Sequence, residues 1–130
     1  MRIQVIKMLS DLPTRPLIEF QSAYGIGRAC WAEGVPHLFQ DYDVEFEIPE
    51  MLVWGQTIVS HEEETIAVTH QENALLLSGQ LESADEEGTG CVRVGESIIL
   101  IEIEARKEDS PAPRFVRVVS KQAILYDTNI

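Results

Sequence analysis

Asp43-Val44-Glu45-Phe46-Glu47-Ile48 alternates acid and apolar residues for six positions. In a strand, successive side chains point to opposite faces, so this stretch reads as β with one wet and one buried face. Pro49 ends or kinks it, because proline lacks the N–H that a central strand needs.

The same period recurs on both sides. Residues 2–9, 17–23, 51–54, 57–61, 65–70 and 74–83 read as short strands rich in β-branched residues. Residues 91–94 and 97–104 read as one long strand with a bend at Gly95, and residues 114–120 and 122–126 as the closing strand or pair. Between them fall Asp11-Leu12-Pro13-Thr14-Arg15-Pro16, the acidic turn Glu62-Glu63-Glu64, the loop Ala84–Gly90, and a polar stretch from Arg106 to Pro113. Gly25-Ile26-Gly27 is expected to be a bulge, turn or loop. Helical periodicity is scarce. The pattern predicts one mainly β domain over residues 1–130, a small antiparallel barrel or sandwich with little helix. From Asp43 onward, strand number and length match a five-stranded OB-like Greek-key barrel.

The 130 residues carry a net charge of −12, and it is unevenly placed. Ala29 to Val92 holds fourteen acids and no lysine or arginine, whereas residues 1–28 hold four bases and two acids, and residues 93–130 six of each. Concentrated negative charge opposes binding to phosphate backbones and to anionic membranes, so neither nucleic acid nor membrane is an expected partner. It favours a cationic partner or plain solubility. The longest apolar run, Ile98-Ile99-Leu100-Ile101, is far short of a bilayer span. The N-terminal residues lack the pattern of a secretory signal, and two cysteines, Cys30 and Cys91, are too few for a disulfide framework. A cytoplasmic protein is the expectation.

Asp43, Glu45 and Glu47 fall on one strand face about 6.7 Å apart. Like charges at that distance repel by about 0.6 kcal/mol in water. Relief is expected from Arg93, Arg106, Arg114 or Arg117, from a cation, or from a partner. Trp31, Trp54, Phe39 and Phe46 read most simply as packing residues, and Trp54 is a candidate interface anchor if it is exposed beside the acidic face.

No catalytic, cofactor or metal site is expected. His61-Glu62-Glu63-Glu64 lacks the His-Glu-x-x-His spacing that sets two imidazoles on one helix face, and His37 and His70 are distant in sequence. Asp85-Glu86-Glu87 lacks calcium-loop spacing. Tyr24-Gly25-Ile26-Gly27-Arg28 lacks the third glycine and the Lys-Ser/Thr of a phosphate cradle. No serine lies in a nucleophile elbow.

The leading expectation is a non-catalytic acidic binding protein. It offers Asp43, Glu45, Glu47, Glu62, Glu63, Glu64 and Trp54 to a basic protein, in an immunity- or inhibitor-type role. The alternative is a structural or assembly component that forms homo-oligomers through a β edge, either Arg114–Ser120 or the first strand. A small metal-dependent hydrolase ranks third.

Overall fold

A computed structural model describes residues 1–10, 14–104 and 114–128. The fold is all-β, with twelve strands and no helix among those residues. The connections expected at Asp11–Pro13 and over Arg106–Pro113 lie outside them, and Arg106 with the latter.

The first sheet is a closed five-stranded barrel. It comprises β1 (Arg2–Met8), β2 (Leu17–Ser22), β3 (Gly25–Trp31), β4 (Asp41–Glu47) and β12 (Ile124–Asp127), in the order β1-β2-β3-β12-β4 with β4 returning to β1. The β3–β12 pairing is parallel and the others antiparallel. This is a Greek-key barrel of the OB type, whose last strand arrives after a long excursion. The barrel is therefore built from the two ends of the chain. The expected placement in the second half is corrected on this point, because the period-two pattern marks strands without saying which distant strands pair.

The excursion forms the second sheet: β5 (Met51–Leu52), β6 (Ile58–Ser60), β7 (Ala67–Gln71), β8 (Ala74–Ala84), β9 (Thr89–Val94), β10 (Ser97–Ile103) and β11 (Arg114–Ser120). Its path is β5-β10-β9-β8-β11-β6, with β7 also on β8. A turn at residues 53–57 and a Trp54–Ile58 bridge bring the two ends of that path together, so the sheet nearly closes on itself. The long strand expected around Gly95 is instead the β9–β10 hairpin. Gly95, at φ +62°, supplies the left-handed residue of its two-residue turn.

One hydrophobic cluster runs through both sheets, from Ile3, Phe20 and Val44 to Leu75, Val92 and Val116. The seam between the sheets explains the Gly25-Ile26-Gly27 break. The expected tight turn falls at residues 23–24, just ahead of Gly25, and strand β3 then runs through Gly25-Ile26-Gly27 in regular register. A Cβ on Gly25 would lie 2.2 Å from the Val68 carbonyl oxygen, and one on Gly27 would press on Phe20, Leu75 and Val68. The Val68 N–H donates to the Tyr24 carbonyl at 3.0 Å, fastening β7 to the β2–β3 turn. Beside it, Arg28 Nε donates to Glu19 at 3.0 Å, and Arg28 Nη1 reaches Asn73 in the β7–β8 turn at 3.1 Å.

The chain leaves the barrel after Ile48 and re-enters at residues 121–123, and Glu50 ties the two crossings together. Its carboxylate accepts from Ser120 Oγ at 2.5 Å and from the N–H groups of Lys121 and Gln122 at 3.0 and 3.1 Å. Ser120 is wholly buried. Three donors on one charged acceptor make a strong local clamp.

Candidate functional site

Strand β4 keeps the predicted alternation. Tyr42, Val44 and Ile48 are buried and Phe46 half-buried, while Asp41, Glu45 and Glu47 are exposed and Asp43 is half-exposed. Barrel closure sets β1 beside β4, and Arg2 meets Asp41 at 3.6 Å and Asp43 at 3.5 Å. The source of charge relief is thus corrected. Arg93 is engaged by Glu82 on the neighbouring β8, and Arg114 lies 4.0 Å over the Trp54 ring. None of the ion pairs among the described residues includes Glu45 or Glu47.

These two acids line a groove between β4 and β10. One part holds Glu45, Phe46, Glu47, Ile48, Ile98 and Glu102 among its walls, with a volume of about 430 Å³. An adjoining part of about 350 Å³ continues past Val44, Glu96 and Ser97. The two share Glu45, Phe46 and Ile98. The groove therefore runs along the second half of β4 and most of β10, about 13 Å over the rise from Val44 to Ile48.

Its chemistry is two-fold. Glu45, Glu47, Glu96 and Glu102 supply carboxylates from both sides, while Ile98 and Leu100 lie outward on β10, 54% and 70% exposed. Two of the acids are held in place. Glu102 accepts from Thr89 Oγ1 at 3.2 Å, and Tyr126 donates its phenol to Glu47 Oε2 at 2.5 Å. The Glu47 bond raises the Tyr126 pKa above its ordinary value, because ionising the phenol would remove the donor and set two negative charges together.

The other predicted site residues lie elsewhere. Glu62, Glu63 and Glu64 are exposed on the β6–β7 connection, and none of them lines this groove. Trp54 is only 8% exposed, in keeping with the packing reading and against the alternative of an exposed anchor: it closes the second sheet and carries Arg114 on its ring. Phe39, expected as a packing residue, is 67% exposed in the β3–β4 loop. Both strands named for edge pairing have a strand on each side over part or all of their length. Strand β11 lies between β8 and β6, and β1 lies between β2 and β4.

The remaining chemical candidates have local roles. Asp85 Oδ1 accepts from the N–H groups of Glu87 and Thr89, both at 2.9 Å, which makes it the organiser of its own turn. His61 Nε2 is 3.4 Å from Ser78 Oγ, and His70 sits 3.6 Å from Glu19 at the seam. Among the described residues no group of three or more His, Cys, Asp or Glu side chains could hold a metal ion. Both cysteines are free thiols, and no helix is long and apolar enough to cross a membrane.

The apolar half of the groove was missed in the sequence, though its signal is there. Four consecutive apolar residues on a strand cannot all face one way, so Ile98-Ile99-Leu100-Ile101 must turn two of them outward. Comparison with protein-family models, with curated proteins and with solved structures returns no match.

Proposed function

We propose that this protein is a non-catalytic binding protein that presents its acidic groove to a cationic protein partner. One observation carries the reading: four carboxylates flank the exposed Ile98 and Leu100 in a single elongated groove. The apolar side chains supply contact area that water would rather shed, and the carboxylates select the sign of the partner and steer its approach. Nucleic acids and anionic membranes carry the wrong charge for it. A role in blocking a basic protein, of the immunity or inhibitor type, fits this chemistry. With two free thiols, a cytoplasmic location belongs to the same proposal.

The test uses a basic protein retained from lysate at low salt, purified, and measured again with purified components. The triple variant Glu45→Gln, Glu47→Gln, Glu102→Gln is expected to keep the wild-type circular dichroism spectrum. Its association rate should fall about tenfold at low ionic strength, converging with wild type in high salt. An association rate indifferent to both salt and the three substitutions would overturn the proposal.

A further inference from the structure

Strand β10 has one edge that no described strand covers along most of its length. It pairs with β9 from Ser97 to Glu102, while on its other side β5 meets it only at Glu102 and Ile103. The direction of each backbone group follows from the bonds at the end of the strand. The Ile103 N–H donates to Gly88 on the β9 side at 2.7 Å, and the next N–H, that of Glu104, donates to Leu52 on the β5 side at 2.7 Å. Alternate residues face alternate sides. Counting back, Ser97, Ile99 and Ile101 face β9, and the N–H and C=O of Ile98 and Leu100 face the groove.

The opposite wall is β4, where Val44 exchanges two backbone bonds of 2.8 Å with Met1. The open edge of β10 thus borders the channel, and an open edge is a ready template for another strand.

We infer that the groove is a strand-addition site, in which an extended segment of the cationic partner hydrogen-bonds to the β10 edge at Ile98 and Leu100. The inference rests on the proposed acidic-groove function and specifies how the partner is held. Main-chain bonds would supply affinity, and alternating side chains would supply selection. The outward row of the added strand lies among Glu45, Glu47 and Glu102, and suits lysine or arginine whose stems cover Ile98 and Leu100. The inward row faces Phe46, Ile48 and Ile101 and suits small apolar residues. A second copy of this chain fits poorly, because its own β10 edge would bring the same carboxylates against these.

The test uses the full chain and a capped seven-residue peptide of alternating lysine and valine, with a twin methylated on every second backbone nitrogen along the pairing edge. Methylation removes main-chain donors and leaves the charge unchanged. The unmethylated peptide is expected to bind at least about tenfold more tightly than its twin, from the loss of two or more backbone bonds. It should also slow hydrogen exchange at the Ile98 and Leu100 amides. Equal binding by the two peptides, or unchanged exchange at those amides, overturns strand addition while leaving a charge-selective groove intact. Failure of both peptides to bind at low salt overturns strand addition and the acidic-groove reading together.

Discussion

The barrel and the second sheet solve the same problem with different completeness. Each must satisfy the backbone groups along its strands, and the barrel does so by closing, with β12 slotted between β3 and β4. The second sheet curls almost as far, but its β5 covers only the end of β10. The difference leaves an open edge in one sheet next to the acid-bearing strand of the other. Neither sheet alone makes the groove. Beside the shared hydrophobic core, the seam of glycines and the Glu50 clamp join the sheets, and perturbing those two features tests how far the sheets act as one body.

The largest effect is expected at Gly25. Alanine there meets the Val68 carbonyl oxygen at 2.2 Å, and the residue sits at φ +134°, a conformation costly for any side chain. Gly25→Ala should lose about 3 kcal/mol in denaturant unfolding, the sum of backbone strain and overpacking. If the sheets are independently stable, the loss will divide the transition into two. If they are mutually dependent, one transition will move to lower denaturant without splitting, and fluorescence of Trp31 in the barrel and Trp54 in the second sheet will report the same midpoint.

A smaller loss is expected at the clamp. Glu50→Ala removes a charged acceptor from three donors, one of them on the buried Ser120, and should cost about 2 kcal/mol. Glu50→Gln keeps one acceptor oxygen and should recover part of that loss. Hydrogen exchange at Lys121 and Gln122 should quicken in both variants. Unchanged exchange in the alanine variant would show that the crossing is held by packing alone.

The smallest effect concerns the groove itself and appears only at high pH. Because the folded-state pKa of Tyr126 is raised, its contribution to stability is fully present below the ordinary value of 10.0 and is lost as pH climbs through the raised one. Absorbance titration of the phenols should find one tyrosine ionising late. Glu47→Gln should return it toward the ordinary range, since the carboxylate is the principal cause of the shift. A late-titrating tyrosine that ignores this substitution would place the cause elsewhere.

Much of the fold was legible because period-two alternation is a local signal. Asp43–Ile48 announced its strand and its faces correctly, and most strands appear near their expected positions. Pairing was not legible, because it joins residues far apart. Nothing in the sequence near Asp43 points to Arg2, 41 positions away, yet that arginine sits beside it. Gly25 and Gly27 are ambiguous for a related reason: a glycine that bends the chain and a glycine that admits a neighbouring sheet look alike until the neighbour is known. Of the groove, Glu45 and Glu47 are legible from the alternation of β4. Leu100 is not, since a four-residue apolar run does not say which of its members faces outward, and the surroundings of Trp54 depend on a turn and an arginine distant in sequence.

The clamp at Glu50 also bears on the order in which the molecule can assemble. Val44 and Asp127 become neighbours across 83 positions of chain, and β12 is synthesised after the whole second sheet. Closing so long a loop as free polymer is entropically costly, though the cost rises only about 0.6 kcal/mol per doubling of length. Once the second sheet has formed, however, β11 and β5 are parts of one body, and Glu50 holds its entry and exit points side by side. Strand β12, four residues beyond β11, is then held next to the slot it must fill, which converts a long-range search into a short one.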